Sequence, residues 1–189
     1  MSNVERLRPI DSAAMSARQR AAAAELAAGP RGGVKGPFIA LLRSPELLQR
    51  LQKVGEYLRF GSSLAPRISE FVILAVSRHW MQQFEWTVHV PLAIKAGVSA
   101  DTVAALSQAR RPGAMAADEA AAYELYVELA ATKGVSDATY RQALEHFGEQ
   151  GVVEMLALIG YFATVSMIMN VAHTPAAPGD VPPLQPLPL

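Results

Sequence analysis

The sequence predicts an all-α protein, a bundle of amphipathic helices, and three observations carry that prediction. Apolar residues recur at helical spacing, serines, prolines and glycines punctuate the chain where helices should start and stop, and no Val/Ile-rich alternating stretch of strand type occurs. With 51% hydrophobic and 18% charged residues among 189, the chain carries enough apolar side chains for a substantial core.

Each element follows from local signals. Asp11 or Ser12 caps a first helix through the Ala21–Ala24 run, which Gly29-Pro30 ends, and the Gly-rich stretch to Pro37 is a loop. Residues 1–35 therefore read as an appended helical arm. Ser44-Pro45-Glu46 supplies a cap, a first-turn proline and a first-turn carboxylate for a helix whose apolar stripe is Leu47, Leu48, Leu51, Val54, Tyr57 and Leu58, closed by Gly61. Pro66 opens the next helix to about Trp80, with Phe71–Val76 apolar on all sides, and a break is expected near Met81.

Phe84 to Ala96 is a helix stopped by Gly97 and bent by Pro91. Ser99 caps Ala100–Ala109, Ala116–Thr132 follows with Lys133 against its C-terminal dipole, and Ser136 caps a helix that Gly148 closes. A long apolar helix then runs to about His173. The six prolines beyond it make residues 176–189 an extended tail, leaving 36–175 as the main helical domain.

Val152–Ala172 is about as long as a bilayer crossing requires. Its Gly160, Tyr161, Thr164, Ser166 and Asn170, and the lack of flanking Lys or Arg, fit a bundle centre or a subunit interface better than a membrane span. Lys plus Arg equals Asp plus Glu at 17 each, so no net field attracts nucleic acid or anionic lipid. The absence of cysteine excludes disulfides and thiolate chemistry. Met1–Arg6 lacks the layout of a secretory signal, so a cytoplasmic location is expected.

Chemistry is expected where one face of an apolar helix turns polar. Gln82, Glu85 and His89 line the same side of a continuous helix, with Glu85 one turn from His89. A carboxylate on one ring nitrogen raises the imidazole pKa and leaves the other nitrogen to move protons near neutral pH. An ordinary surface pair or structural hydrogen bond fits the same spacing. Glu70, just before the apolar run, is either a first-turn carboxylate or one drawn inward. His79, Glu85 and His89 match no metal-ligand spacing, and neither a phosphate loop nor a nucleophile elbow is present, so no cofactor is expected.

The runs Ser69-Glu70-Phe71-Val72-Ile73-Leu74-Ala75-Val76-Ser77-Arg78, Phe84-Glu85-Trp86-Thr87-Val88-His89-Val90-Pro91-Leu92-Ala93 and Ala96-Gly97-Val98-Ser99 resemble the signature of carboxymuconolactone decarboxylase-like proteins. The resemblance continues through Asp118-Glu119 and Leu158–Asn170. It implies an all-α fold assembled as a homotrimer or homohexamer. One branch of that family, the alkylhydroperoxidase-D-like one, carries a Cys-x-x-Cys pair where this chain has Gln82 and Glu85. The departure leaves the lyase-like branch, cofactor-free decarboxylation of a small unsaturated lactone acid from aromatic-compound breakdown.

In that reading His89 delivers the proton, Glu85 orients His89, and Glu70 supports the pocket base. Arg67 or Arg78 holds the substrate carboxylate, with Gln82 and Trp86 as further contacts. An isomerase or lactone hydrolase would need the same pair. A non-catalytic assembly module, with Glu70, Glu85 and His89 as a sealed polar network, is the alternative of a different kind.

Overall fold

The computed structural model describes residues 4–186, and no strand occurs among them. A 3-10 turn, Ser12–Ala14, precedes eight helices: α1 Ala17–Ala28, α2 Pro37–Leu41, α3 Pro45–Phe60, α4 Pro66–His79, α5 Gln83–Ala96, α6 Ala100–Ser107, α7 Ala117–Thr132 and α8 Asp137–Ala172. The predicted punctuation holds at most ends. Ser99 and Ser136 accept from the backbone N–H three residues on, and Gly97 closes α5 in the left-handed region at φ 105°. Gly148, at φ 64°, breaks the helical path inside α8 where a stop was expected.

The core forms around α4, every residue of which from Ile68 to Arg78 is buried except Glu70. α5, α6, α7 and α8 pack against it, as a helix without a polar face requires. α8 is apolar enough by length and composition to cross a bilayer, and half of its most apolar stretch is buried in the fold. Met155, Leu158, Phe162, Val165 and Met169 face the core, while Val153, Leu156, Met167 and Val171 are exposed.

Three expectations change. The arm is part of the fold: Ala22 and Leu26 of α1 are buried with Phe38, Leu41, Leu42 and Leu48 in a second cluster joining α1, α2 and α3. α3 is rotated from the predicted stripe, since Leu47, Val54 and Tyr57 are exposed while Leu48, Gln52, Gly55 and Leu58 are buried. Pro91 lies on the exposed side of one continuous α5.

The Pro-rich tail folds back on its own chain. Leu184 is buried, Gln83 exchanges two hydrogen bonds with its backbone (3.0 and 2.9 Å), and Arg78 Nη1 donates to the Gln185 carbonyl at 2.7 Å.

Candidate active site

The α4–α5 hairpin builds the site. Met81 takes a positive φ of 51° to reverse the chain, and Gln82 caps α5 by accepting from the Phe84 N–H at 2.6 Å. Glu70 and His89 lie at comparable distances along the chain from this turn, on opposite arms, and so meet at one level. His89 Nδ1 is 2.6 Å from Glu70 Oε2, and Nε2 is 3.2 Å from Glu85 Oε2, one turn back on the same helix.

Both ring nitrogens are therefore engaged by carboxylates, where the spacing had suggested that one would stay free. The edge of the imidazole meets Phe162 at 5.2 Å between centroids, which with 2% exposure fixes the ring. Burial alone would lower the His89 pKa; the hydrogen bonds and charges of Glu70 and Glu85 outweigh it and raise the pKa above its ordinary value. The imidazolium thus persists to higher pH than usual.

A cavity of about 260 Å³ opens beside this triad. Glu85 and His89 line it together with Phe38, Phe84, Tyr161 and Phe162, and Arg31, Lys35 and Arg59 supply positive charge. Gly55 is what lets Tyr161 lie between α3 and the cavity, because a Cβ there would collide with the tyrosine hydroxyl. Burial pushes the Tyr161 hydroxyl up, and Arg31 works against it. No cluster of three His, Cys, Asp or Glu arranged to hold a metal occurs among the described residues.

Glu70, Glu85 and His89 are thus brought together, and the other expected contacts are not. Arg67 is held at 2.6 Å by both Asp118 and Glu119 of α7. Arg78 is 4% exposed, turned toward Met81 and the tail, and lines a separate cavity with Tyr123 and Tyr126. Gln82 precedes α5 as its cap, so it shares no helix face with Glu85, and its Nε2 donates to Asn170 at 2.9 Å. Trp86 is 2% exposed in the core.

Sequence reasoning missed Arg59 and Arg31. Arg59 had one readable signal: it continues the Leu48, Gln52, Gly55 face of α3 at helical spacing, and that face is buried.

The family model described as the carboxymuconolactone decarboxylase family matches residues 45–128. That segment spans α3 to α7 and contains Glu70, Glu85 and His89. The match makes that segment, less than half of the chain, similar to this family. A crystal structure from Agrobacterium tumefaciens, of a protein of unknown function described as an antioxidant defence protein of the AhpD type, superposes with a TM-score of 0.64 at 19% identity. The match covers 74% of this chain and 96% of that one, a likeness of fold. No curated protein matches the chain in sequence. The chain contains no cysteine, so it lacks the Cys-x-x-Cys pair of a thiol peroxidase.

Proposed function

We propose that this protein is a cofactor-independent lyase of the carboxymuconolactone decarboxylase type, acting in the cytoplasm on a small unsaturated lactone or keto acid from aromatic-compound breakdown. The observation that carries the reading is the Glu70–His89–Glu85 triad, with His89 and Glu85 buried, opening onto a cavity of single-ring size. A sealed structural network would not line a cavity.

The geometry favours exchanged roles for the two carboxylates. Glu70 holds Nδ1 by the shorter bond and does not line the cavity, which suits orientation of the ring. Glu85 stands on Nε2 and lines the cavity, which suits proton exchange between His89 and substrate. Loss of carbon dioxide leaves an electron pair that delocalises into the ring carbonyl as a dienolate. A hydrogen-bond donor at that oxygen, such as the Tyr161 hydroxyl, stabilises it, and the proton relayed by His89 and Glu85 quenches the carbon.

Assembly of identical subunits belongs to the same proposal. Val54, Tyr57 and Phe60 of α3 and Val153, Leu156, Met167 and Val171 of α8 expose apolar side chains of the kind a second copy covers. Light scattering on a sizing column tests it, and a monomer at micromolar concentration would refute it.

The activity test is ultraviolet-monitored turnover of γ-carboxymuconolactone and a panel of related lactones and β-keto acids, with His89→Asn and Glu85→Gln alongside. Turnover reduced about 10²-fold or more in both variants, with unchanged melting, is the expected result. Undiminished turnover by either variant would remove the triad from the mechanism.

A further inference from the structure

Two arginines border the His89 cavity with donors that the fold leaves unused. Arg31, in the loop after α1, stacks its guanidinium on Phe38 at 4.6 Å, and its buried Nε and Nη2 make no hydrogen bond among the described residues. Arg59, in the last turn of α3, lies over Phe60 at 5.0 Å, and its buried Nε is likewise unbonded. The nearest carboxylate oxygen to Arg59 is Glu70 Oε1 at 4.0 Å, too long for a hydrogen bond.

These donors are costly as they stand. A buried N–H without an acceptor loses its water and gains nothing in return. Desolvation lowers the Arg59 pKa, Glu70 raises it, and the nearby Arg31 lowers it again, so the two guanidinium groups repel each other across a partly dry space. The carboxylates of Glu70 and Glu85 are engaged by His89, and once His89 is protonated the cavity carries more positive than negative charge. Such a site favours an anion with several acceptor lone pairs. Guanidinium forks held flat against aromatic rings suit a planar carboxylate.

We propose that Arg31 and Arg59 together seat the carboxylate of a small organic acid, so that the arm outside the family-matched segment selects the substrate. This rests on the cavity being the reactive site. A carboxylate seated this way is a handle and not the leaving group. Two cations stabilise it as an anion, whereas loss of carbon dioxide disperses that charge, so the seat would slow its departure. The substrate therefore keeps this carboxylate throughout, and the carbon dioxide that is lost leaves from a second carboxylate, on the side of the ring facing Glu85.

The test uses the full chain and binding alone. 2-Furoate and the neutral 2-furamide, a five-membered oxygen ring with and without the charge, are titrated calorimetrically into wild type, Arg31→Gln, Arg59→Gln, Arg59→Lys and, as a surface control on α3, Arg50→Gln. Furoate should bind at least about tenfold more tightly than furamide, and each Gln variant should lose at least about tenfold in furoate affinity. Arg59→Lys should keep part of it and Arg50→Gln all of it. Equal binding of acid and amide, no binding of furoate to wild type, or unchanged affinity in Arg31→Gln would overturn the proposal.

Arg31 lies in a loop, so its variant decides the question even where Arg59→Gln does not fold. His89→Asn separates the two readings: loss of turnover with furoate still bound supports both. Loss of turnover without any furoate binding to wild type sinks the seat alone.

Discussion

Replacing Gly55 with alanine sets two effects of opposite sign against each other. In the middle of a helix the change from glycine to alanine is worth about 1 kcal/mol in favour of the folded state. At this position, however, an added Cβ overlaps the Tyr161 hydroxyl and ring carbon and stands 2.8 Å from Arg31 Nη2. Tyr161 is a rigid ring, 6% exposed, so it yields only by tilting into the cavity. Overpacking of this kind costs about 1–3 kcal/mol.

The balance is a net loss of about 1 kcal/mol, a fall of about 2–4 °C in melting temperature for a domain of this size. Differential scanning calorimetry measures the stability, and furoate titration reads whether the displaced ring has filled the cavity. A melting temperature above wild type would mean that helix propensity had won. The close approach of α3 to Tyr161 would then not be as tight as the structure has it.

Three further outcomes follow from named contacts. Nuclear magnetic resonance titration of His89 should place its inflection above the ordinary 6.5, and Glu70→Gln should lower it; because the folded pKa is raised, the stability His89 contributes is present below about pH 6.5 and fades as pH rises through the folded value. Burial works to raise the Glu154 carboxyl, but donors from Gln150, Ser63 and Tyr57 hold it at about 2, so the stability it contributes is present above about pH 4.5 and is lost as pH falls toward 2; Glu154→Gln should flatten acid denaturation curves in that window. Ending the chain after Thr174 removes the burial of Leu184, worth about 2 kcal/mol before the ordering of the tail is deducted, and should lower the melting temperature by a few degrees without abolishing folding. An unchanged melting curve would show the tail to be a bystander.

The fold was legible because its signals are local. Ser99, Ser136, Gly97 and the Pro66 start each act on backbone within a turn of themselves, and a sequence displays them directly. The Glu85–His89 pair was legible for the same reason. The contact between Glu70 and His89 spans 19 residues and depends on the hairpin between them, so spacing alone left Glu70 undecided. Arg67 was misread because its partners Asp118 and Glu119 come from α7, far along the chain.

Arg59 was hidden by a general habit. Charged residues at a helix end are read as solvated, and only the burial of the Leu48–Gln52–Gly55 face shows that this one points inward. The rotation of α3 has the same origin: its apolar residues suffice for two faces, and the sequence does not say which face meets the core.

The loop between α1 and α2 contains Gly32 and Gly33, both at a positive φ that favours glycine, with no neighbour within 4 Å of a Cβ at Gly32. Pro30, Gly32 and Lys35 of this loop are exposed, whereas His89 and Glu85 are wedged among helices. If the proposed function holds, proton chemistry and molecular choice are therefore under different mutational constraints in this chain. On the proposed function, exchanges at those exposed positions can retune which acid is admitted at small thermodynamic cost, while the triad can scarcely change without loosening the hairpin that carries it. Relatives sharing the interior can be expected to diverge in diet before they diverge in reaction.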